Sequence, residues 1–400
     1  MTNVFDPSLR ANPFDLYRTL RESGPLHPTG FGINLVPRYA DCSAVLADPA
    51  WGHGYYAGIN PFRPGVDPRS LPGSFLLMDP PDHGRMRSLV TKAFTLRAVE
   101  ALRPRITALV DELLDAAIEA GEVDLVRALA YPVPLITICR LLGVPESDQE
   151  LFGRWTGAIS RGLDPDAVLS EEEKAARQVA VGNFAEYFAE LIAWRRTDPQ
   201  DDLLSRLVTV EDGGDRLSVK EIADIGVLLL IAGHETTMNL IASGVYALHR
   251  HPDQRAVLAA DPALATVAVE EFLRFDTPVP FPTRVALTDV ELGGVSLPRG
   301  SGVVLLLGSA NRDPAAFDAP ERLDVRRFAS DGPRQLAFSH GPHFCLGAPM
   351  ARVESAIFFR RLFERAPDFE VLTDAPEYRS SISMRGLASL PVRFTPKGRS

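Results

Sequence analysis

A chain of 400 residues with 46% hydrophobic content can bury a large core, and length alone leaves room for two or three domains. The net charge of −10 argues against a nucleic-acid partner held on a basic surface. Three widely spaced cysteines, Cys42, Cys139 and Cys345, make no disulfide framework and suit a reducing cytoplasm.

The first residues, Met-Thr-Asn-Val-Phe-Asp-Pro, have neither a basic nor an apolar leader region, so no signal peptide is expected. Residues 13–23 read as a helix opened by Pro13, residues 31–36 as a strand, and a further helix ends at Asp48-Pro49. Between Trp51 and Leu77, prolines and glycines alternate with Tyr55, Tyr56, Phe62 and Phe75. So long an irregular stretch is usually functional, and its aromatics suit a binding lid. A helix then follows Asp79-Pro80-Pro81, with His83 and Arg87 four apart on one face.

Helical periodicity continues over about 98–120, 131–142, 146–160 and 170–196. Ser218 and Glu221 spell a capping box, and helical character runs from there to Arg250, stopped by Pro252. That predicts a rod of roughly 45–50 Å. Its longest apolar run, Ile225 to Gly233, is nine residues, short of the ~20 that span a bilayer. No membrane segment is expected. Midway along the rod lies Ala232-Gly233-His234-Glu235-Thr236-Thr237, between the apolar flanks Val227–Ile231 and Leu240–Ile241. Glycine costs about 1 kcal/mol in a helix interior, and a threonine hydroxyl can bond back one turn. A helix weakened there makes room for a small ligand or waters.

The next helix, 262–275, carries Glu271 and Arg274 on one face. Beyond it the texture turns to β: 283–291, a Gly293-Gly294 turn, 295–297 and 303–307, with closing strands near 369–373 and 390–395. The fold class is therefore α+β, mostly α-helical. Before the last helix stands Phe338-Ser339-His340-Gly341-Pro342-His343-Phe344-Cys345-Leu346-Gly347. Such a turn presents one side chain while its backbone comes close to something flat or bulky. The N–H groups and dipole of the following helix favour a thiolate, a candidate axial ligand for haem iron. A lone intracellular cysteine is more often structural, so Cys345 alone decides nothing.

Its surroundings resemble the haem-binding loop of the cytochrome P450 superfamily, Phe-Gly-x-Gly-x-His-x-Cys-x-Gly. The match holds at Phe338, Gly341, His343, Cys345 and Gly347, and departs at Ser339, where glycine is usual. Ala232–Thr237 resembles the family's oxygen-activation motif, and the resemblance extends over essentially the whole chain. It implies a single P450 domain over 1–400, with the long helix crossing the haem and a minor β region. It further implies haem b, with Cys345 as axial ligand to the iron and His83, Arg87, Arg284 and His343 at the propionates. Glu235 and Thr236 fall at the acid–alcohol positions that deliver protons. Neighbours on a helix point about 100° apart, so Thr236 is expected over the haem and Glu235 toward a solvent channel. Glu271 and Arg274 match a structural pair that anchors the meander around Arg322–Arg327.

The implied activity is a haem-thiolate monooxygenase that uses O2 to hydroxylate or epoxidise a hydrophobic organic molecule, a secondary metabolite. Candidate substrate-pocket residues are Phe75, Leu229, Ala232, Val279, Phe281 and Leu387. Electrons would come from a separate ferredoxin and its NAD(P)H-dependent reductase, with Arg352, Arg360 and Arg361 as a basic docking patch. Two alternatives stay open: an oxidase of the same fold that couples rings or desaturates, and a catalytically silent haem protein recruiting a ligand or carrier domain. Intact Cys345, Glu235 and Thr236 speak against the latter. The expected location is the cytoplasm.

Overall fold

The helix that begins after Ser218 organises the rest. In the computed structural model, which describes residues 4–29, 32–62, 74–161, 163–164 and 168–395, the Ser218 hydroxyl accepts from the Glu221 N–H at 3.2 Å. The Glu221 carboxylate accepts in return from the Ser218 N–H at 2.7 Å. From this reciprocal cap Val219–Arg250 runs unbroken for 32 residues, about 48 Å at the α-helical rise. By length and composition it could cross a membrane, but 78% of its most apolar window is buried inside the protein. It is a core helix, packed by Pro132–Leu142, Glu171–Thr197 and Ala348–Arg365.

Elsewhere the predicted helices form with local differences that follow from single residues. The stretch expected over 98–120 breaks at Leu102 into Leu96–Ala101 and Arg103–Ala120. Pro104 has no N–H to give, so it takes a first-turn position in a new helix. The β texture expected over 283–291 is two strands, Thr283–Ala286 and Val290–Leu292. The second folds back on Val295–Leu297 as a hairpin through Gly293 and Gly294, both at positive φ. Of the irregular stretch from Trp51 to Leu77, residues 63–73 lie outside the described residues.

The main sheet has five strands in the order His27–Pro28, Ile33–Val36, Gly302–Leu305, Thr283–Ala286, Trp51–Gly52. Gly302–Leu305 pairs parallel with Ile33–Val36 and antiparallel with Thr283–Ala286, setting Val303 opposite Arg284. Arg284 thus stands on an inner strand, and Trp51–Gly52 pairs with the same strand from the other side. The register brings His53, just past that edge strand, and Arg284 into one neighbourhood. A smaller sheet joins Glu122–Asp124, Pro391–Arg393 and Glu370–Val371. Its first strand escapes the sequence reading because three residues carry no usable alternation.

Candidate active site

Cys345 sits where a turn hands over to a helix. Its N–H donates to Phe338 O at 2.9 Å, and the Phe344 N–H donates to Gly341 O at 3.0 Å. Gly341 lies at φ +71°, and a Cβ there would come within 2.4 Å of Leu46 O, so only glycine fits. Ser339 adopts φ +65° as well, a conformation that suits the glycine usual at that position of the loop it resembles. The helix that follows, Ala348–Arg365, points its first N–H groups back at the thiol. Burial pushes the Cys345 thiol up, while the N–H groups of Gly347 and Ala348 and the cations Arg87 and Arg352 oppose that rise. The features expected to favour a thiolate are present. Burial outweighs them for the free thiol.

The long helix is buried at every position from Ile225 to Val245 except Ala232, Gly233 and Thr236. Ala232 and Thr236 are one turn apart, so the exposed patch is a window on one face. The Thr236 hydroxyl donates to Ala232 O at 2.6 Å, the backward bond that competes with the helix ladder. Glu235, one residue earlier, is turned away from the window and buried. Arg379 Nη2 lies 3.3 Å from its Oε1. Both line a polar cavity of about 340 Å³ with Ser160, Arg161, Ser380, Ser381 and Met384. Burial raises the Glu235 carboxyl, and the Arg379 guanidinium works against that. His234 packs edge-on against Tyr131 at 4.5 Å, and burial pushes its imidazole down to about 3.

Beside the cysteine turn lies a cluster of basic side chains, of which His53, His83 and Arg284 are buried and Arg87 and His343 half-buried. The His343 ring is 4.0 Å from that of His83 and 4.9 Å from that of His53. Arg284 is 5% exposed and its Nη1 donates to the neighbouring Thr283 O at 2.8 Å. Arg87 Nη2 donates to Phe344 O at 2.5 Å. Neither guanidinium has a carboxylate partner among the described residues. Burial, reinforced by the neighbouring arginines, holds the His343 imidazole down to about 3 and lowers His83; burial alone accounts for Arg284 falling to about 10. The Nε2 atoms of His53 and His83 are buried with no hydrogen-bond partner among the described residues. Buried donors rarely stay unpaired, and buried cations demand an anion. The donor set fits a haem: one cysteine sulfur for the iron, and surplus guanidinium and imidazole donors for two propionates. His53 escapes the sequence reading. Its only signal is a histidine between the glycines of Trp51-Gly52-His53-Gly54.

Glu271 and Arg274 are both fully buried and bound through two hydrogen bonds, of 2.7 and 2.8 Å. Arg274 also donates to the carbonyls of Asn311, Pro320 and Arg322. Arg327 and the Asp324 N–H both donate to Glu271, which fastens the segment from Asp318 to Arg327. The three arginines expected to form a docking patch do not present free charge. Arg352 is paired with Glu270 at 2.5 Å, Arg360 with Glu364 at 2.8 Å, and Arg361 with Asp111 at 2.6 Å. Glu364 one turn further along the same helix, and Glu270 and Asp111 on neighbouring helices, pair with them.

The six pocket candidates are not all neighbours. Phe75, Leu229 and Leu387 belong to the main apolar core, and Phe75 stacks 6.4 Å from His83. Ala232 opens through the window and Val279 is half-buried. Phe281 packs on Phe5 at 5.3 Å and Tyr17 at 6.4 Å. There it lines a cavity of about 460 Å³ with Val4, Phe5 and Arg385. The N-terminal segment supplies its aromatic partners.

The family model described as Cytochrome P450 matches residues 262–394. Vitamin D(3) 25-hydroxylase of Pseudonocardia autotrophica is 41% identical over 403 residues, covering 99% of this chain and 97% of the relative. 6-Deoxyerythronolide B hydroxylase of Saccharopolyspora erythraea is 40% identical over 414 residues, 98% of this chain and 100% of the relative. Among solved structures, the bacillaene polyketide synthase cytochrome P450 PksS of Bacillus subtilis superposes with a TM-score of 0.89 at 37% identity, over 98% of this chain and 100% of that one.

Proposed function

From the premise that the chain belongs to the cytochrome P450 family, and so is a haem-b monooxygenase, we propose that it hydroxylates or epoxidises a bulky, largely apolar secondary metabolite. The electrons come from a ferredoxin and its NAD(P)H-dependent reductase, and the reaction takes place in the cytoplasm. Two relatives named for hydroxylating vitamin D(3) and 6-deoxyerythronolide B support the substrate class.

The observation that carries the reading is the surplus of buried and half-buried guanidinium and imidazole donors beside Cys345. Cys345 would bind the iron, and Arg87, Arg284, His83 and His343 would hold the propionates. When bound, the haem supplies reductive activation of O2. Everything else is the work of this chain. The window at Ala232, Gly233 and Thr236 leaves space on the face of a helix that is otherwise sealed. Its Thr236 hydroxyl, while donating to Ala232 O, keeps lone pairs that can hold a water. Glu235 stands on the other side of the helix against a polar cavity, able to take protons from solvent and pass them inward. The apolar residues Phe75, Leu229 and Leu387 exclude water around that space.

The test is spectroscopic first. Reduced, CO-treated protein should show the red-shifted Soret band of thiolate ligation, and Cys345→Ser should abolish it. A serine variant that kept the band would refute the ligand assignment. Product analysis under isotopically labelled dioxygen then asks whether oxygen is inserted, since ring coupling or desaturation leaves no label in the product.

A further inference from the structure

We propose that His53 is a third imidazole donor to a haem propionate, completing the grip of His83 and His343. The inference rests on the haem reading above and adds to it a residue that lies outside every motif in the chain.

Three observations converge on this side chain. Its backbone is fixed on both sides: the His53 N–H donates to Asp79 Oδ1 at 2.7 Å, and its carbonyl accepts from Asn60 Nδ2 at 2.6 Å. The flanking glycines make that fixation possible. A Cβ on Gly52 would come within 2.3 Å of Asp79 Oδ1, and Gly54 lies at φ +67° with its N–H donating to Asp79 Oδ2 at 2.8 Å. The segment is shaped to hold His53 in one place.

The ring it places there is 7% exposed and stands edge-on to His343, with centroids 4.9 Å apart and planes at 87°. Its Nε2 is buried and finds no partner among the described residues. Burial first, and then the basic neighbours Arg284, His343 and His83, each disfavour a proton on the ring. A neutral imidazole among such groups has an N–H to give, and those basic neighbours are donors too. Asp79, the carboxylate beside them, already has both oxygens engaged by the backbone of His53 and Gly54. What satisfies several donors at once is an incoming anion with multiple lone pairs, and a carboxylate has about four acceptor sites. A charge-assisted hydrogen bond of this kind is roughly twice as strong as a neutral one.

The experiment compares full-length holoenzyme carrying H53A, H53N or no change. All three should keep the thiolate CO band, because Cys345 is untouched. Transfer of haem to excess apomyoglobin should quicken about tenfold or more in H53A, as expected for one lost bond to a charged group. H53N, which retains an amide donor, should recover most of that loss. In resonance Raman spectra the propionate bending mode should move in H53A and return toward wild type in H53N. An unmoved propionate mode in H53A overturns the proposal even if haem is lost faster, since packing alone would then explain the loss. A wild-type protein without the thiolate band would overturn the haem reading and this inference with it. Normal wild-type behaviour with indifferent His53 variants would overturn this inference alone.

Discussion

Two buried charged regions of this molecule use the same residue types to opposite ends. Around Glu271 and Arg274, every strong donor meets a protein acceptor: carboxylate to guanidinium, guanidinium to three carbonyls, and a second arginine onto the same carboxylate. Around His343, itself half-buried, Arg284, His53 and His83 are buried and Arg87 is half-buried, with only backbone carbonyls and Asp79, which already accepts from the backbone of His53 and Gly54, to answer them. A buried ion is tolerated when its partners are complete and is costly when they are not. The first region therefore belongs to the fold. The second is the region we propose an anionic cofactor completes. Burial alone distinguishes neither; the identity of the acceptor does.

The largest effect should come from breaking the complete region. Glu271→Ala leaves Arg274 buried without its carboxylate and releases Arg327 and Asp324 from the same anchor. The expected loss is about 3–5 kcal/mol of unfolding free energy, read from urea midpoints. It should persist whatever the haem content, because the network is closed within the chain. A variant that unfolds like wild type would mean the meander is held elsewhere.

Glu235 and Arg379 form an intermediate case, a buried carboxylate whose single cation partner is about one-third exposed. Because burial holds Glu235 protonated to higher pH than an ordinary carboxyl, its capacity to donate is lost as pH rises through that raised value. Product formation should show this limb, and Glu235→Gln should erase it while slowing turnover by about 10²-fold. Thr236→Ala should act differently, leaving NAD(P)H consumption largely intact while hydrogen peroxide replaces product. Fully coupled turnover in Thr236→Ala would show that another group, such as a substrate hydroxyl, holds the water.

Arg284→Ala sharpens the contrast with Glu271. Removing an unpaired buried guanidinium should weaken haem retention by roughly 1.5–3 kcal/mol, the range for a hydrogen bond to a charged group. Haem transfer rates measure it. Unlike the Glu271 variant, it should cost the haem-free chain nothing, since no protein carboxylate loses a partner. Equal destabilisation with and without haem would place Arg284 in the structural class.

These regions differ in how much of them can be read from sequence. The long helix announces itself through Ser218, Glu221 and a long apolar run, all local signals. The Cys345 turn is equally legible, because its glycines are demanded by backbone geometry within ten residues. The surroundings of Phe281 are harder to read, because they depend on Phe5 and Tyr17, aromatics from the far end of the chain. Glu364, four residues after Arg360, was a local signal, whereas Arg352 and Arg361 read as part of a patch only while Glu270 and Asp111, their partners on other helices, stay out of sight. His53 was missed for the same reason. Its importance lies in what surrounds it, and Arg284 and His343 reach it only through the sheet register and the fold.

The smallest effect tests the legible end of this contrast. Ser339 holds φ +65°, a conformation that costs a non-glycine residue roughly 1–2 kcal/mol. Its hydroxyl is also buried without a partner among the described residues. Ser339→Gly removes both penalties, while the greater freedom of glycine in the unfolded chain returns about 0.4–1 kcal/mol of the gain. The net should be a stabilisation of the order of 1 kcal/mol, visible as a higher urea midpoint at unchanged slope. The thiolate CO band should keep its position, since Gly341 and the Cys345 N–H bond to Phe338 O are untouched. A destabilised variant would mean that the serine hydroxyl makes a bond to water or cofactor that outweighs the backbone strain. The turn at Ser339 would then join the His343 cluster as a place completed from outside the chain.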